Sequence, residues 1–348
     1  MTKTSSEKIT VLLNWKATPY HLPLFLASKL GFFTDQDISV AILEPNDPSD
    51  VTEIIGSGKI DLGLKAMIHT IAGKARGYPI KSIGTLLDEP FTGVIHPSHK
   101  SGITADFKSL RGKKIGYVGE FGKVQLDHLA RQYGMGEDEY QAVRVGMNVT
   151  DAIQRGEIDA GIGIENVQQV ELEEWSVQQG RSRNDIQMLR IDELAELGCC
   201  CFCSILYIGN EDFINNNPEK VEKFMRAIKQ ATDYMIANPA IAYQKYVEMK
   251  PHLDTDIQRK IFQRSFRYFS RDLQNVERDW NKVTNYCKQL GIVDAEFAQN
   301  QTNDFLTWKL NEQGLGGGVE PATVETGVVE GGCKSCQHAS ISQPKIFA

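Results

Sequence analysis

Along the first third of the chain, short apolar runs alternate with stretches of helical spacing, and turn residues mark the junctions. Lys8 to Trp15 is rich in Ile, Val and Leu and predicts a buried strand ending at Asn14-Trp15. Thr18-Pro19-Tyr20-His21 leads into an apolar helix from Leu22, stopped at Gly31. Ile38 to Leu43 predicts a second strand, closed by Glu44-Pro45. Ser49 or Asp50 can cap a helix running through Ile55, and Lys59 to Leu64 predicts a third strand ending at Lys65. Thr70 to Gly77 is helical in composition until Gly77-Tyr78-Pro79 stops it. Strand and helix in alternation specify a mostly parallel sheet.

The pattern then repeats itself. Val51-Thr52-Glu53-Ile54-Ile55-Gly56-Ser57-Gly58-Lys59-Ile60-Asp61-Leu62-Gly63-Leu64 aligns with Val149-Thr150-Asp151-Ala152-Ile153-Gln154-Arg155-Gly156-Glu157-Ile158-Asp159-Ala160-Gly161-Ile162. Val, Thr, the second Ile, Gly, Ile, Asp and Gly coincide column by column. Helix-Gly-strand units resemble one another in any α/β protein, but two copies this alike predict two α/β lobes with a cleft between them. The expected boundaries are 8–108 for the first part of lobe I and 109–205 for lobe II. Residues 206–315 would return to lobe I with C-terminal helices, and 316–348 would form a flexible tail. In the returning part Pro218 to Ala237 is strongly amphipathic, with Val221, Phe224, Met225, Ile228, Ala231 and Met235 on one face. Gly316-Gly317-Gly318 opens the low-periodicity tail.

Composition narrows the function classes. The 348 residues are 41% hydrophobic and 24% charged, as in ordinary globular proteins. A net charge of -7 carries no electrostatic footprint for nucleic acid or anionic membrane. Ile9 to Leu13 is too short for a signal peptide core, and no run approaches the ~20 apolar residues of a membrane span. A soluble, cytoplasmic protein is the expectation.

Three stretches carry candidate chemistry. Lys65 and His69 lie four apart at a strand-to-helix junction, and on one helix face they would look into one cleft. On spacing alone they also read as a solvated lysine beside a surface histidine. Gly119-Glu120-Phe121-Gly122 joins a strand to the helix expected from Val124 to Tyr133. Such a loop offers backbone N–H groups to a phosphate, or is a plain tight turn. Cys199, Cys200, Cys201 and Cys203 crowd into five positions. Read as part of a strand, alternate thiols point to opposite faces, so a four-thiolate site from this run alone is sterically implausible. One or two thiols could instead face the cleft and join His69 around a metal, or be small buried residues.

Asn14-Trp15, Pro19-Tyr20-His21, Pro48-Ser49-Asp50, Lys65-Ala66-Met67-Ile68-His69, Glu89-Pro90-Phe91-Thr92-Gly93, Gly119-Glu120-Phe121-Gly122-Lys123 and Gly198-Cys199-Cys200-Cys201-Phe202-Cys203 together resemble the fungal thiamine pyrimidine synthases. These make 4-amino-5-hydroxymethyl-2-methylpyrimidine phosphate. The resemblance covers about Lys8 to Trp308 and gives no role to Cys333 or Cys336. It implies a two-lobed periplasmic-binding-protein-like (type II) fold, a homodimer, and pyridoxal 5'-phosphate bound as substrate. Lys65 would hold that substrate as a Schiff base and Gly119 to Gly122 would cradle its phosphate. His69 would donate atoms to the new ring, in a single turnover driven by iron and dioxygen. The cysteine motif would be required, with His69, Cys199 and Cys201 as candidate iron ligands. Asn14, Trp15 and Glu120 are candidate pocket residues, although for Trp15 burial in the core is the simpler explanation.

Overall fold

A computed structural model describes residues 7–197, 201–310 and 346–347. It contains two five-stranded sheets, each with helices packed on it. The first sheet has the order β2-β1-β3-β10-β4, with β1 at Glu7–Leu12, β2 at Ile38–Leu43, β3 at Leu62–Ala66, β4 at Ile80–Leu87 and β10 at Ile205–Asn210. The second has the order β7-β6-β8-β5-β9, with β5 at Thr92–Pro97, β6 at Lys114–Tyr117, β7 at Gln141–Arg144, β8 at Ala160–Ile164 and β9 at Ile186–Arg190. The first three strands run parallel, as the alternation demands, and β10 inserts antiparallel between β3 and β4. Among the described residues no helix is long and apolar enough to cross a membrane.

The internal repeat is a structural repeat. Helices Val51–Gly56 and Val149–Gln154 each lead through a left-handed glycine, Gly58 or Gly156, into β3 or β8. Leu12 pairs with Gly63 in one sheet, and Gly116 pairs with Gly161 in the other. Asp61 accepts a hydrogen bond from the Thr10 backbone N–H at 2.8 Å, and Asp159 accepts one from Lys114 N–H at 2.8 Å. Each aspartate thus ties its strand to the parallel neighbour at the same point.

One expected boundary shifts. Residues 92–97 do not belong to the first lobe, because β5 lies antiparallel between β8 and β9 of the second sheet. The first crossover is therefore the segment 88–91, not the polar run near 109. Gly93 makes the close strand approach possible, since a Cβ there would sit 2.3 Å from the Leu189 carbonyl oxygen. The chain returns between β9 and β10. The helix Pro218–Ala237 follows, burying Val221, Phe224, Met225, Ile228, Ala231 and Met235 as its spacing requires. Most of the expected tail, including Cys333 and Cys336, lies outside the described residues. Phe347 does not hang free: its ring meets Tyr243 edge-on, centroids 5.2 Å apart, and packs against Phe262.

Candidate functional site

The carboxyl ends of the parallel strands in both lobes open onto one cavity of about 360 Å³. Lys65 and His69 both line it, by a route that differs from a shared helix face. Lys65 is still in β3, paired with Leu206 of β10, and the helix Met67–Ala75 starts two residues later. Ala66 has extended backbone dihedrals, and the chain turns there so that strand end and first helical turn face the same space.

Lys65 is 5% exposed, and its Nζ donates to the Pro48 carbonyl oxygen. Burial pulls its pKa down to about 8, against the opposing charges of Asp47 and Asp50. A minority of the amine is therefore neutral near physiological pH, far more than for an exposed lysine. His69 is pushed well below the ordinary imidazole range by burial and by the cations Lys65 and Arg76, so its ring is neutral. The ring packs edge-on to Phe121 of the other lobe, centroids 5.0 Å apart. An amine that gives up its proton more readily than usual and an uncharged imidazole thus share a walled space.

The expected glycine loop is the start of a helix. Glu120–Gln132 begins directly at Glu120, with Gly119 as an extended N-cap and no capping side chain. Its first-turn N–H groups and positive end are presented at the cavity, which suits an anion. A Cβ at Gly119 would lie 2.8 Å from Ser49 Oγ across the cleft, and one at Gly122 3.0 Å from the Tyr117 Cβ. The cradle is therefore shaped by absent side chains. Two further donors fit the same purpose. Trp15 Nε1 and Gln125 Nε2 are buried without a partner among the described residues, and both residues line the cavity. Trp15 is a half-buried wall residue, not part of the core. Gln125 was not legible as a candidate; its place in the second turn of the glycine-headed helix was the available signal.

Asn14 is held by neighbours that sequence alone did not connect to it. Its amide nitrogen donates to Tyr20 OH at 3.1 Å, and its oxygen accepts from His21 Nε2 at 2.9 Å. Thr18 N–H donates to His21 Nδ1 at 3.2 Å, which fixes the neutral tautomer. Glu120 turns to the cleft mouth, where it pairs with Arg76 at 2.7 Å while the Arg76 guanidinium covers the Phe121 ring.

The cysteines divide. Cys201 and Cys203 lie in a single 3-10 turn, Cys201–Cys203, not in a strand, so the alternating-face argument does not apply to them. Cys203 lines the cavity and is hydrogen-bonded to the Thr92 side chain; burial pushes its thiol up to about 12. Cys201 is fully buried away from the cavity wall. It forms, with Glu89 and Asp279, a group whose ligand atoms lie within 4.8 Å of one another. His69 is not a member of that group, so the described residues do not unite His69 with Cys201. Cys199 and Cys200 lie outside the described residues.

A family model described as NMT1/THI5 like matches residues 18–242. The chain belongs to that family. It is 63% identical over 340 residues to the 4-amino-5-hydroxymethyl-2-methylpyrimidine phosphate synthase of Aspergillus parasiticus, covering 97% of this chain and 99% of the relative. It is 59% identical over 309 residues to the synthase THI5 of Saccharomyces cerevisiae, covering 89% and 91%. Solved structures supply the fold. A Candida albicans protein with the generic periplasmic binding protein fold superposes with a TM-score of 0.63 at 17% identity, covering 88% of this chain and 99% of that one. The aliphatic sulphonate binding protein SsuA of Escherichia coli gives 0.57 at 15% identity, covering 75% and 84%.

Proposed function

We propose that this NMT1/THI5-like chain makes 4-amino-5-hydroxymethyl-2-methylpyrimidine phosphate, as its relatives are named for doing. In this reading it consumes pyridoxal 5'-phosphate and its own His69 in a single turnover. The observation that carries the reading is the joint placement of Lys65, His69 and the Gly119 helix end around one cavity. A receptor for a ligand without an aldehyde has no use for a buried lysine whose pKa is pulled down to about 8.

Each residue has a role. Lys65 supplies the neutral amine that condenses with an aldehyde, and Pro48 O holds that nitrogen in place. The helix start at Gly119 takes the phosphate, with Trp15 Nε1 and Gln125 Nε2 as further donors. Asn14, fixed by Tyr20 and His21, presents a rigid polar wall. His69, kept neutral and turned by Phe121, is positioned to face the ring held on Lys65. Iron with dioxygen, when bound, would supply the oxidation that opening two aromatic rings demands. A thiol and two carboxylates are a donor set that would suit iron, and among the described residues Cys201, Glu89 and Asp279 form such a group.

The test is peptide mass spectrometry after incubating the protein with pyridoxal 5'-phosphate, iron(II) and air. The His69 peptide should lose mass as one equivalent of pyrimidine phosphate appears. Product beyond one equivalent with His69 whole would make the protein an ordinary catalyst. An unchanged peptide with ligand bound at Lys65 would make it a two-lobed pyridoxal or pyrimidine binder.

A further inference from the structure

One seam between the lobes is built differently from the cleft mouth. After β8 the chain makes a π-helical turn, Glu165–Gln169, which runs straight into the helix Val170–Gln178 of the second lobe. Such turns are rare and recur at functional sites. Here the turn supplies part of the cavity wall through Val167 and Gln168, and Gln168 Oε1 accepts a hydrogen bond from the Ile164 N–H at 3.0 Å. The helix Asp256–Ser265, from the returning part of the chain, lies against this segment and also packs on Pro19–His21 of the first lobe. Val167 and Val170 are buried in the same apolar cluster as Tyr20, Phe262 and Phe266.

Polar groups lock that seam. Arg264 Nη1 donates to Glu165 Oε1 at 2.5 Å and its Nη2 to Glu173 Oε2 at 2.9 Å, with the three side chains 16%, 13% and 9% exposed. Tyr268 OH donates to the other oxygen of Glu165 at 2.9 Å. Asn166 Nδ2 donates to Ser265 Oγ at 2.8 Å, and both residues are fully buried. Lys260 extends the row to Glu174 at 2.5 Å. At the mouth, by contrast, the lobes meet through solvent-exposed pairs, Asp47 with Arg144 and Arg76 with Glu120.

We propose that Arg264 is a positioning residue for the reaction: it bolts the π-helical turn of the second lobe to the first, so that the cavity wall holds its working shape before substrate arrives. The proposal rests on the pyridoxal phosphate reading above and adds how that cavity is kept. A merely stabilising ion pair is the competing account. Three buried charges give up their hydration here, and apolar residues of similar size would hold the helices together about as well. What apolar packing lacks is direction. The planar guanidinium fork fixes where Glu165 of the turn and Glu173 of the following helix must stand. The Glu165 N–H also donates to the Phe91 carbonyl oxygen at 2.8 Å, so the bolt is fastened beside the crossover 88–91. Substrate then enters past the exposed pairs at the mouth, without one lobe rotating on the other.

The experiment compares the full chain with its Arg264→Met and Arg264→Lys variants. Small-angle X-ray scattering is recorded with and without pyridoxal phosphate, and the Lys65 adduct is titrated by visible absorbance. The unsubstituted chain should keep one radius of gyration in both states. Arg264→Met should be wider without ligand and contract to the parental radius at saturation. If about a tenth of its molecules hold the working shape, apparent affinity falls about tenfold. Arg264→Lys should recover only part of that loss, because an ammonium cannot reproduce the fork. Urea unfolding reports that each variant folds. An arginine that only stabilises would lower that stability and leave radius and affinity unmoved, which would overturn the proposal. Contraction of the unsubstituted chain on binding would overturn it too, and needs no variant. An unsubstituted chain that forms no adduct would fell the pyridoxal phosphate reading alone, since the ligand-free radii of parent and Arg264→Met still decide the bolt.

Discussion

Asp47 of the first lobe and Arg144 of the second face each other across the cleft mouth, 2.5 Å apart. The pair is half-exposed, so its contribution to stability is about 1 kcal/mol at most. Its chemical consequence is larger, because Asp47 is the first of the two carboxylates that hold the Lys65 pKa up against burial. Asp47→Asn removes that support, so the amine pKa should fall below about 8. The rate of pyridoxal phosphate adduct formation, followed by visible absorbance from about pH 6 to about pH 9, should show its midpoint moved to lower pH. A midpoint that stays put would mean that Asp50 alone sets the lysine.

Changing Lys65 to Arg should abolish both adduct and product, since a guanidinium is not deprotonated at these pH values. Changing His69 to Asn should abolish product and keep the adduct. The two variants separate binding from chemistry in one absorbance scan and one product assay. Product from the His69→Asn protein would refute the consumption of that histidine.

Much of this site was legible before the fold was known, but the reasons were uneven. Lys65 and His69 were visible as a lysine and a histidine four apart where an apolar strand gives way to a helix. Their geometric link was misjudged, since the helix starts at Met67 and the extended Ala66 does the turning. The crossover at 88–91 was hidden because β5 is buried throughout and β4 at every position but Lys81, and a short acidic break between apolar runs carries no topological mark. The pairing of Cys201 with Glu89 and Asp279 is long-range, joining three separate segments, and no local spacing encodes it.

The phosphate cradle can be tested through the clash that glycine avoids. Gly119→Ala would place a Cβ 2.8 Å from Ser49 Oγ. Affinity for pyridoxal phosphate and for inorganic phosphate should fall about tenfold or more, equivalent to about 1.4 kcal/mol. Ser49→Ala removes the offending oxygen, so the double variant should recover part of the loss. Titration calorimetry on the four proteins reads the coupling directly, and additive losses would show that Ser49 is not the obstacle.

His21 predicts an acid-sensitive limb of stability. Burial, helped by the Lys250 charge, lowers its pKa to about 3 from an ordinary 6.5. The unfolded chain therefore binds the proton first, and stability present above about pH 6.5 is lost as pH falls towards about 3. The slope approaches about 1.4 kcal/mol per pH unit, which integrates to about 1.6 kcal/mol between pH 6.5 and 5. His21→Gln should be less stable at pH 7 by about 1 to 2 kcal/mol, through the lost bonds to Asn14 and Thr18. It should also lose less on acidification. Urea unfolding of both proteins at pH 7 and pH 5 gives the difference, and parallel pH dependences would remove His21 from the account.

The internal repeat makes the sharpest comparison, because two glycines at equivalent positions meet different obstacles. A Cβ at Gly63 would lie 2.4 Å from Ile55 Cδ1 and 2.7 Å from the Leu12 carbonyl oxygen. At Gly161 the nearest atom is Val149 Cγ1, at 2.7 Å, and the nearest backbone oxygen stands off at 3.5 Å. A side-chain methyl can rotate or shift, whereas a carbonyl committed to a parallel sheet cannot do so without breaking strand pairing. Gly63→Ala should therefore cost about 3 kcal/mol and Gly161→Ala about 1 kcal/mol. Gly63→Ala should also disturb Lys65, two residues along β3, and slow formation of its adduct, while Gly161→Ala should leave the adduct rate close to that of the parent protein. Equal costs in urea unfolding would mean that Ile55, not the Leu12 carbonyl, limits the space at Gly63, and the additional variant Ile55→Val would then relieve it.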